Sequence, residues 1–390
     1  MTAERVRGTV PPTISEVAAE AGVGRASAAR TLGNYGYVSP ELRERVLAAA
    51  EKLGYRANAL ARSVSTGVSH TLGVIVADIG NPFFAGVVRG ISDTSRASGF
   101  DTIVLSSHED LDEEKAALGV LMDKRVDGIV IASAAVNPKE AKHIQEAMDD
   151  GFPVVLVDRS LEHLAADAVV IDNRDAARHA VESLIAAGHR RIGFVWGPSS
   201  TRPVATRRAL LAAANKSLWT DSERLRGYLD ALDDAGIVFD ADLVMVGVKT
   251  EATAAEAAAA MLRLPNPPTA LLCTENDAMT GVLRAVRATG LKYPRDISLI
   301  GFDDSSWAAV MDPALTMIEQ PMLRLGALSA ERLLARIKGE DPEPEVHTLE
   351  SRFIERESVA PPREQTVEQT REQTDAQAAD RRDSEQSLPA

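Results

Sequence analysis

Between Thr13 and Gly54 apolar residues recur at helical spacing, and no strand-like alternation interrupts them. Thr13-x-x-Glu16 has the form of a capping box, after which Ile14, Val17, Ala18 and Ala21 share one face of a first helix. Gly22-Val23-Gly24 breaks it. A second helix is predicted from about Arg25 to Leu32, ended by Gly33-Asn34-Tyr35-Gly36. Ser39-Pro40 supplies an N-cap and a first-turn proline for a third, whose buried face is Leu42, Val46, Ala49, Ala50 and Leu53. Helix, glycine-containing turn, helix and supporting helix is the helix-turn-helix plan. The segment Ala57–Gly67 has room for about two helical turns, too few to persist alone in water, and reads as a hinge that orders only against a partner.

From Thr71 to about Glu357 the pattern becomes alternating β and α. Leu72–Ala77, Thr102–Leu105, Gly128–Ile131 and Val154–Val157 have the length and β-branched content of buried parallel strands. A second series follows at Ala168–Ile171, Ile192–Trp196, Leu243–Val246, Thr269–Cys273 and Ile297–Ile300. Two successive units of this kind predict an α/β body of doubly wound parallel sheets in two lobes, with a cleft between them. The expected division is a flexible N-terminus over 1–12, a helix-turn-helix head over 13–56, a hinge helix and linker over 57–70, and a body over 71–360. Within that body lobe one is placed at about 71–170 plus 301–320, and lobe two at about 171–300 plus 321–360. Residues 361–390 carry too few apolar side chains to offset ordering entropy and are read as a disordered tail. They hold no apolar heptad, which favours a dimer over a tetramer.

Composition adds three constraints. The 390-residue chain has one cysteine, Cys273, which excludes an internal disulfide and cysteine-rich metal sites. No apolar run approaches the roughly 20 residues of a membrane span, and Met1–Pro12 lacks the apolar stretch of a secretory signal, so a cytoplasmic, nucleoid-associated location is expected. Residues 1–70 hold nine Lys/Arg against six Asp/Glu, a surplus of three, whereas the whole chain carries −14. A basic head on an acidic body suits a chain whose one end meets a polyanion. No metal-ligand spacing, phosphate-binding glycine loop or nucleophile elbow stands out, so no cofactor, metal or catalytic residue is assigned.

The head reads Thr13-Ile14-Ser15-Glu16-Val17-Ala18, Ala21-Gly22-Val23, Val38-Ser39-Pro40-Glu41, Leu53-Gly54-Tyr55 and Asn58-Ala59-Leu60-Ala61-Arg62-Ser63. The body adds Asn81-Pro82-Phe83-Phe84, Arg125-Val126-Asp127-Gly128, Gly188-His189-Arg190-Arg191-Ile192-Gly193, Asn276-Asp277 and Ile297-Ser298-Leu299-Ile300-Gly301-Phe302-Asp303-Asp304. In order and spacing these motifs resemble the lac repressor (LacI/GalR) family of bacterial transcription regulators over residues 12–357. The resemblance implies a homodimeric, non-enzymatic regulator, a repressor of pseudo-palindromic double-stranded operators. A small effector, a sugar or related metabolite, would control it from the cleft. DNA contacts would come from Thr13, Arg25, Ala26, Ser27, Ala29 and Arg30 in the head and from Asn58, Ala61 and Val64 in the hinge. Arg25, Ala26 and Ala29 share a helical face, which makes Arg25 the base reader, and a bidentate arginine–guanine contact discriminates by about 1–3 kcal/mol.

The effector residues implied are Phe84, Asp158, Arg224, Asn276, Asp303 and Gln320. Trp196 is a stacking candidate, as is Trp219, although a tryptophan at a strand end is as often core. Asp, Asn and Arg each offer paired hydrogen-bond partners to neighbouring hydroxyls. Adjacent residues at a strand end diverge, which argues against an Asp303-Asp304 acid/base dyad. His189 is expected to cap a helix end, and the dimer interface to lie near Asn81–Arg96. Several positions depart from the family pattern. Gly24, Ser27, Ala28, Ala29 and Gly33 stand where Ser, Thr, Val, Ser and Asn are usual, Val64 and Ala57 replace a leucine and a proline, and the stretch around residues 200–222 is longer than usual. Ala28 forgoes about two methyl groups of burial, ~0.8 kcal/mol each, and Val64 would make a shallower minor-groove wedge. This drift motivates an alternative: a solute-binding protein or enzyme with a vestigial DNA-binding head.

Overall fold

The computed structural model describes residues 12–33, 36–55, 68–199, 204–340 and 343–363. The hinge reading over Ala57–Gly67, with its DNA-contact candidates Asn58, Ala61 and Val64, lies outside the described residues, as do residues 1–11 and most of the C-terminal tail.

The head comprises α1 (Ile14–Ala21), α2 (Arg25–Gly33) and α3 (Pro40–Leu53). Thr13 and Glu16 close the capping box reciprocally: the Thr13 hydroxyl accepts from the Glu16 amide at 3.3 Å, and the Thr13 amide donates to the Glu16 carboxylate at 2.6 Å. Gly22 ends α1 in the left-handed region (φ 62°), and Arg45 of α3 donates to the Ala21 carbonyl left over there. Val17, Ala18, Ala21, Ala28, Val46, Ala49 and Ala50 form the core. Ala28 is fully buried in it, so the small side chain is accommodated by close approach of the three helices.

The body contains a six-stranded and a five-stranded sheet. The first has the order β10-β5-β4-β3-β1-β2, all parallel, built from β1 (Thr71–Val76), β2 (Asp101–Ser106), β3 (Gly128–Ile131), β4 (Val154–Val157), β5 (Asp167–Ile171) and β10 (Val346–Leu349). Helices α4 (Pro82–Ala97), α5 (Leu111–Asp123), α6 (Lys142–Asp149) and α13 (Met322–Ile337) cover it. The second sheet has the order β11-β9-β8-β7-β6, from β6 (Ile192–Val195), β7 (Ala270–Cys273), β8 (Ser298–Phe302), β9 (Thr316–Glu319) and the antiparallel edge β11 (Arg352–Ile354). Its lobe carries α7 (Asn173–Ala186), α8 (Arg207–Ala214), α9 (Trp219–Asp234), α10 (Glu251–Met261), α11 (Asn276–Thr289) and the short α12 (Ser306–Val310).

Three expectations are corrected here. Most of the C-terminal assignment is reversed: Thr316–Glu319 extends the second sheet, whereas Met322–Ile337 and Val346–Leu349 belong to the first lobe; Arg352–Ile354 lies in the second sheet as expected. Ala168–Ile171 belongs to the first sheet, paired in parallel with β4 and β10, and is not the first strand of the second. Leu243–Val246 is no strand; a 3₁₀ turn over Ala241–Leu243 leads to an isolated bridge between Phe194 and Val244.

Helices α4 and α13 cross at unusually close range. A Cβ at Gly90 would lie 2.2 Å from the Leu323 carbonyl oxygen and one at Gly326 2.0 Å from that of Val87, so only glycine allows the two backbones this approach. Asp167, fully buried on β5, ties α13 to this sheet by accepting from Arg332 at 3.2 Å and Arg336 at 2.6 Å, and from the Glu345 amide at 3.0 Å. His189 caps α7 through its backbone amide, which donates to the Leu184 carbonyl. Its buried ring has a different task, joining Thr269 and Ser298 to the Ala360 carbonyl.

Candidate functional site

The cleft opens at the carboxyl ends of both sheets, where open parallel sheets offer the backbone turns and helix starts that bind ligands. Asp158 follows β4, Trp196 follows β6, Asp303 follows β8 and Gln320 follows β9. Asp158 and Asp303 both adopt the left-handed conformation at φ 68°, and the amide of each donates to the neighbouring strand, to the Val169 and Ile318 carbonyls. The lobes therefore present one aspartate each in the same local geometry. Both carboxyls are buried.

Together with Phe84 and Arg224, these residues line a cavity of about 240 Å³. Arg224, on α9, is 4% exposed and donates from Nε to Asn173 Oδ1 at 2.7 Å and from Nη1 to the Thr274 carbonyl at 2.6 Å. Its guanidinium lies 4.2 Å from the centre of the Phe302 ring. Gln320 donates to Asp303 Oδ1 at 2.5 Å. Burial pushes the Asp303 carboxyl up to about 6, opposed by the nearby Arg224 charge and the Gln320 hydrogen bond. Burial likewise raises Asp158 against the attraction of Arg159 and Arg224. Phe84 packs edge-on against Phe83, giving the cavity an apolar wall.

Asn276 begins α11, but it is its neighbours Glu275 and Asp277 that line the cavity. Trp219 lies elsewhere: it packs against the apolar cluster of the first lobe and lines a second cavity, of about 270 Å³, between residues 160–163 and the start of α9. The described part of the long stretch, residues 204–222, forms α8, which buries Leu210 and Ala214 in the second lobe, and then carries Trp219 across to the first.

Two charged groupings at the cavity escape motif reasoning. In the first lobe Arg159 pairs with Glu109 at 2.5 Å and Asp158 at 3.3 Å and donates to the Ser133 carbonyl. In the second, Lys249 pairs with Asp221 and with Glu275 at 2.8 Å, beside the Trp196 ring. Lys249 and Glu109 sit on loops placed by tertiary structure; only Arg159 and Glu275, each within two residues of a strand end, carried a positional signal.

In the head, α2 presents Arg25, Ala26 and Arg30 to solvent, holds Ser27 and Ala29 at its margins and carries no acidic residue in its first turn. Thr13 is exposed at the start of α1. A cationic, unobstructed helix start is what entry into a major groove requires.

Residues 13–58 match the family of bacterial regulatory proteins, lacI family, and residues 69–357 match the periplasmic binding proteins and sugar binding domain of LacI family. Catabolite control protein A of Priestia megaterium is 33% identical over 324 residues, 83% of this chain and 92% of its own. The HTH-type transcriptional repressor CytR of Escherichia coli K12 is 33% identical over 328 residues, covering 84% and 90% of the two chains. Among solved structures, the transcriptional regulator CelR in complex with cellobiose aligns with a TM-score of 0.64 at 30% identity, over 89% of this chain and 99% of its own. The lac repressor dimer bound to operator and an anti-inducer shares the fold, with a TM-score of 0.76 at 24% identity over 90% and 100%. With both parts matched over most of its length, the chain belongs to the LacI family of bacterial transcription regulators.

Proposed function

We propose that this protein is an operator-binding repressor, acting on the chromosome in the cytoplasm, whose DNA affinity is set by a sugar or related polyhydroxylated metabolite held between the two lobes. The carrying observation is that buried hydrogen-bonding groups from both lobes, Asp158 on one side and Arg224, Asp303 and Gln320 on the other, converge on one cavity in a chain that also presents a cationic recognition helix. A ligand gripped by both lobes favours one relative lobe position, and its affinity and the operator's change each other by the same factor. Arg25 is the base reader, flanked by Ala26, Ser27, Ala29 and Arg30, with Thr13 at the phosphates. The chain acts as a homodimer through the face of α4, beside which Ile79 and Leu323 expose apolar surface (56% and 54%). No catalytic role is assigned, in keeping with relatives that are transcription regulators. No described helix is long and apolar enough to cross a membrane.

A mobility-shift titration with fragments of the host genome tests this reading. At moderate salt one or more fragments bind far better than random DNA, and a cleft ligand changes that affinity. Uniform binding to all fragments rejects the repressor; turnover of a cleft ligand by the purified protein would favour the enzyme instead.

A further inference from the structure

The charges at the cleft do not balance. Each buried cation is hydrogen-bonded within the protein: Arg159 to Glu109 and the Ser133 carbonyl beside Asp158, Lys249 to Asp221 and Glu275, and Arg224 to the neutral Asn173 and Thr274 carbonyl, its charge falling on Asp158 and Asp303. Carboxylates remain over. Asp303 is 6% exposed, and among the described residues its side chain is held by Gln320 alone, with no ion pair. Asp78 of the first lobe and Asp277 of the second are exposed and line the same cavity, likewise without ion pairs among the described residues, and the Asp78 charge is one of those that raise the Asp277 carboxyl after burial, Glu275 and Glu251.

Three buried polar atoms of the lining also lack hydrogen-bond partners, one of them Arg159 Nε, which lies 3.3 Å from an Asp158 carboxylate oxygen. Gln320 Oε1 is an acceptor without a donor, and Trp196 Nε1 is a donor without an acceptor; both residues are 3% exposed. Buried groups of this kind are costly when left unmet, so they mark where a ligand's own polar atoms belong. The ligand must therefore both donate and accept, and it enters a site with surplus negative charge.

We propose that the effector is a cation: a hydroxylated ring or chain bearing an amine, its ammonium set against Asp303 and its hydroxyls meeting Gln320, Trp196 and, across the cleft, Asp158. This rests on the effector reading above and narrows it. An ammonium supplies the direct ion pair that Asp303 lacks, since the Arg224 charge acts on it without touching it, and in a buried site such a pair spares each partner an uncompensated burial. A phosphorylated or carboxylated sugar meets the same carboxylates with like charge and is excluded.

The test is isothermal calorimetry and thermal shift on the full chain at pH 7. The ligands are matched sets: glucose, galactose and mannose, their 2-amino-2-deoxy counterparts, the neutral N-acetyl forms of those amines, and the 6-phosphates. The expected result is an amino sugar binding at least tenfold more tightly than its parent and its N-acetyl form. Tighter binding by a neutral or phosphorylated member overturns the cationic effector while leaving a sugar effector standing. A screen in which no set binds overturns the amino-sugar effector, whereas the wider effector reading stands or falls on the operator titration above. Asp303→Asn keeps the side-chain shape and removes the charge; it should abolish the tenfold preference for the amine. Retention of that preference in Asp303→Asn refutes the placement of the ammonium.

Discussion

Replacing Arg224 by methionine separates what this side chain does for the fold from what it does for the cleft. Methionine fills most of the same volume. It cannot donate to Asn173 Oδ1 or to the Thr274 carbonyl, both now met at 2.7 and 2.6 Å. Asn173 is 1% exposed, so its oxygen would find no water. Each orphaned acceptor costs about 1–3 kcal/mol, and losing the contact with Phe302 at 4.2 Å adds about 0.5–2 kcal/mol. Removing the desolvation cost of a buried guanidinium offsets part of this. A net loss of about 2–4 kcal/mol follows, readable as a lower urea midpoint.

The second consequence is electrostatic. Arg224 lowers the carboxyls of both Asp158 and Asp303 against burial, so without it both move further up. The sign follows from proton linkage. Asp303 binds its proton more tightly folded, up to about 6, than its ordinary 3.8, so its contribution to stability is full below 3.8 and is lost as pH rises towards 6. In Arg224→Met that decline continues above pH 6. Arg224→Lys restores the charge without the two-armed donation, so its pH profile returns towards wild type while part of the stability loss remains. A methionine variant within about 1 kcal/mol of wild type, with an unchanged pH profile, would refute the assigned role.

Other perturbations probe separate parts of the molecule. Arg25→Ala should weaken binding to the preferred operator by about 1–3 kcal/mol, roughly 5- to 150-fold, with little effect on random DNA; equal losses on both would make Arg25 a phosphate contact. Gly326→Ala places a Cβ 2.0 Å from the Val87 carbonyl and forces α4 and α13 apart. Overpacking of this kind costs about 1–3 kcal/mol, seen as a lower Tm; an unchanged Tm would show that the crossing has slack. His189 is held neutral by burial, which lowers its pKa from 6.5. Its neutral form is the one the fold prefers, so stability falls as pH drops below about 6.5. His189→Gln should be flatter between pH 6.5 and 5, and an equally steep fall in that variant would assign the effect to other groups.

Local chemistry made the head legible. Thr13, Glu16, Ser39 and Pro40 mark helix starts and Gly22 a helix end, and each feature is decided within a few residues. The buried parallel strands were equally visible, because burial on both faces demands unbroken apolar runs. Lobe membership was not. The strand Thr316–Glu319 looks like any other short apolar run, and nothing nearby says that the next helix crosses to the first sheet; Asp167, some 160 residues upstream, holds that helix in place. Val244 also resists local reading, since a single bridge to Phe194 forms where an apolar run would otherwise continue as a strand. At the cleft, strand-end aspartates were readable by position. Lys249 and Glu109 were not, because each acquires its meaning from a partner on another loop.

The path from cleft to operator is constrained by how the lobes are joined. The chain passes between them after β5, again after β9 and once more between β10 and β11. The first and last passages are fastened together: the Asp172 amide donates to the Leu349 carbonyl at 3.2 Å, and Asp172 Oδ1 accepts from the Ser351 amide at 2.9 Å. These bonds join two of the three passages at the waist. The segment from the head enters the first lobe, where Asp127 accepts from the amides of Ser69 at 2.7 Å and Thr71 at 3.2 Å. Only a change in the position of that lobe reaches the head through the chain. A ligand held by one lobe alone stabilises all lobe positions equally and carries no signal, however tightly it binds. On the proposed reading, Asp158 on the first lobe and Asp303 on the second, matched in conformation at φ 68°, let one ligand touch both.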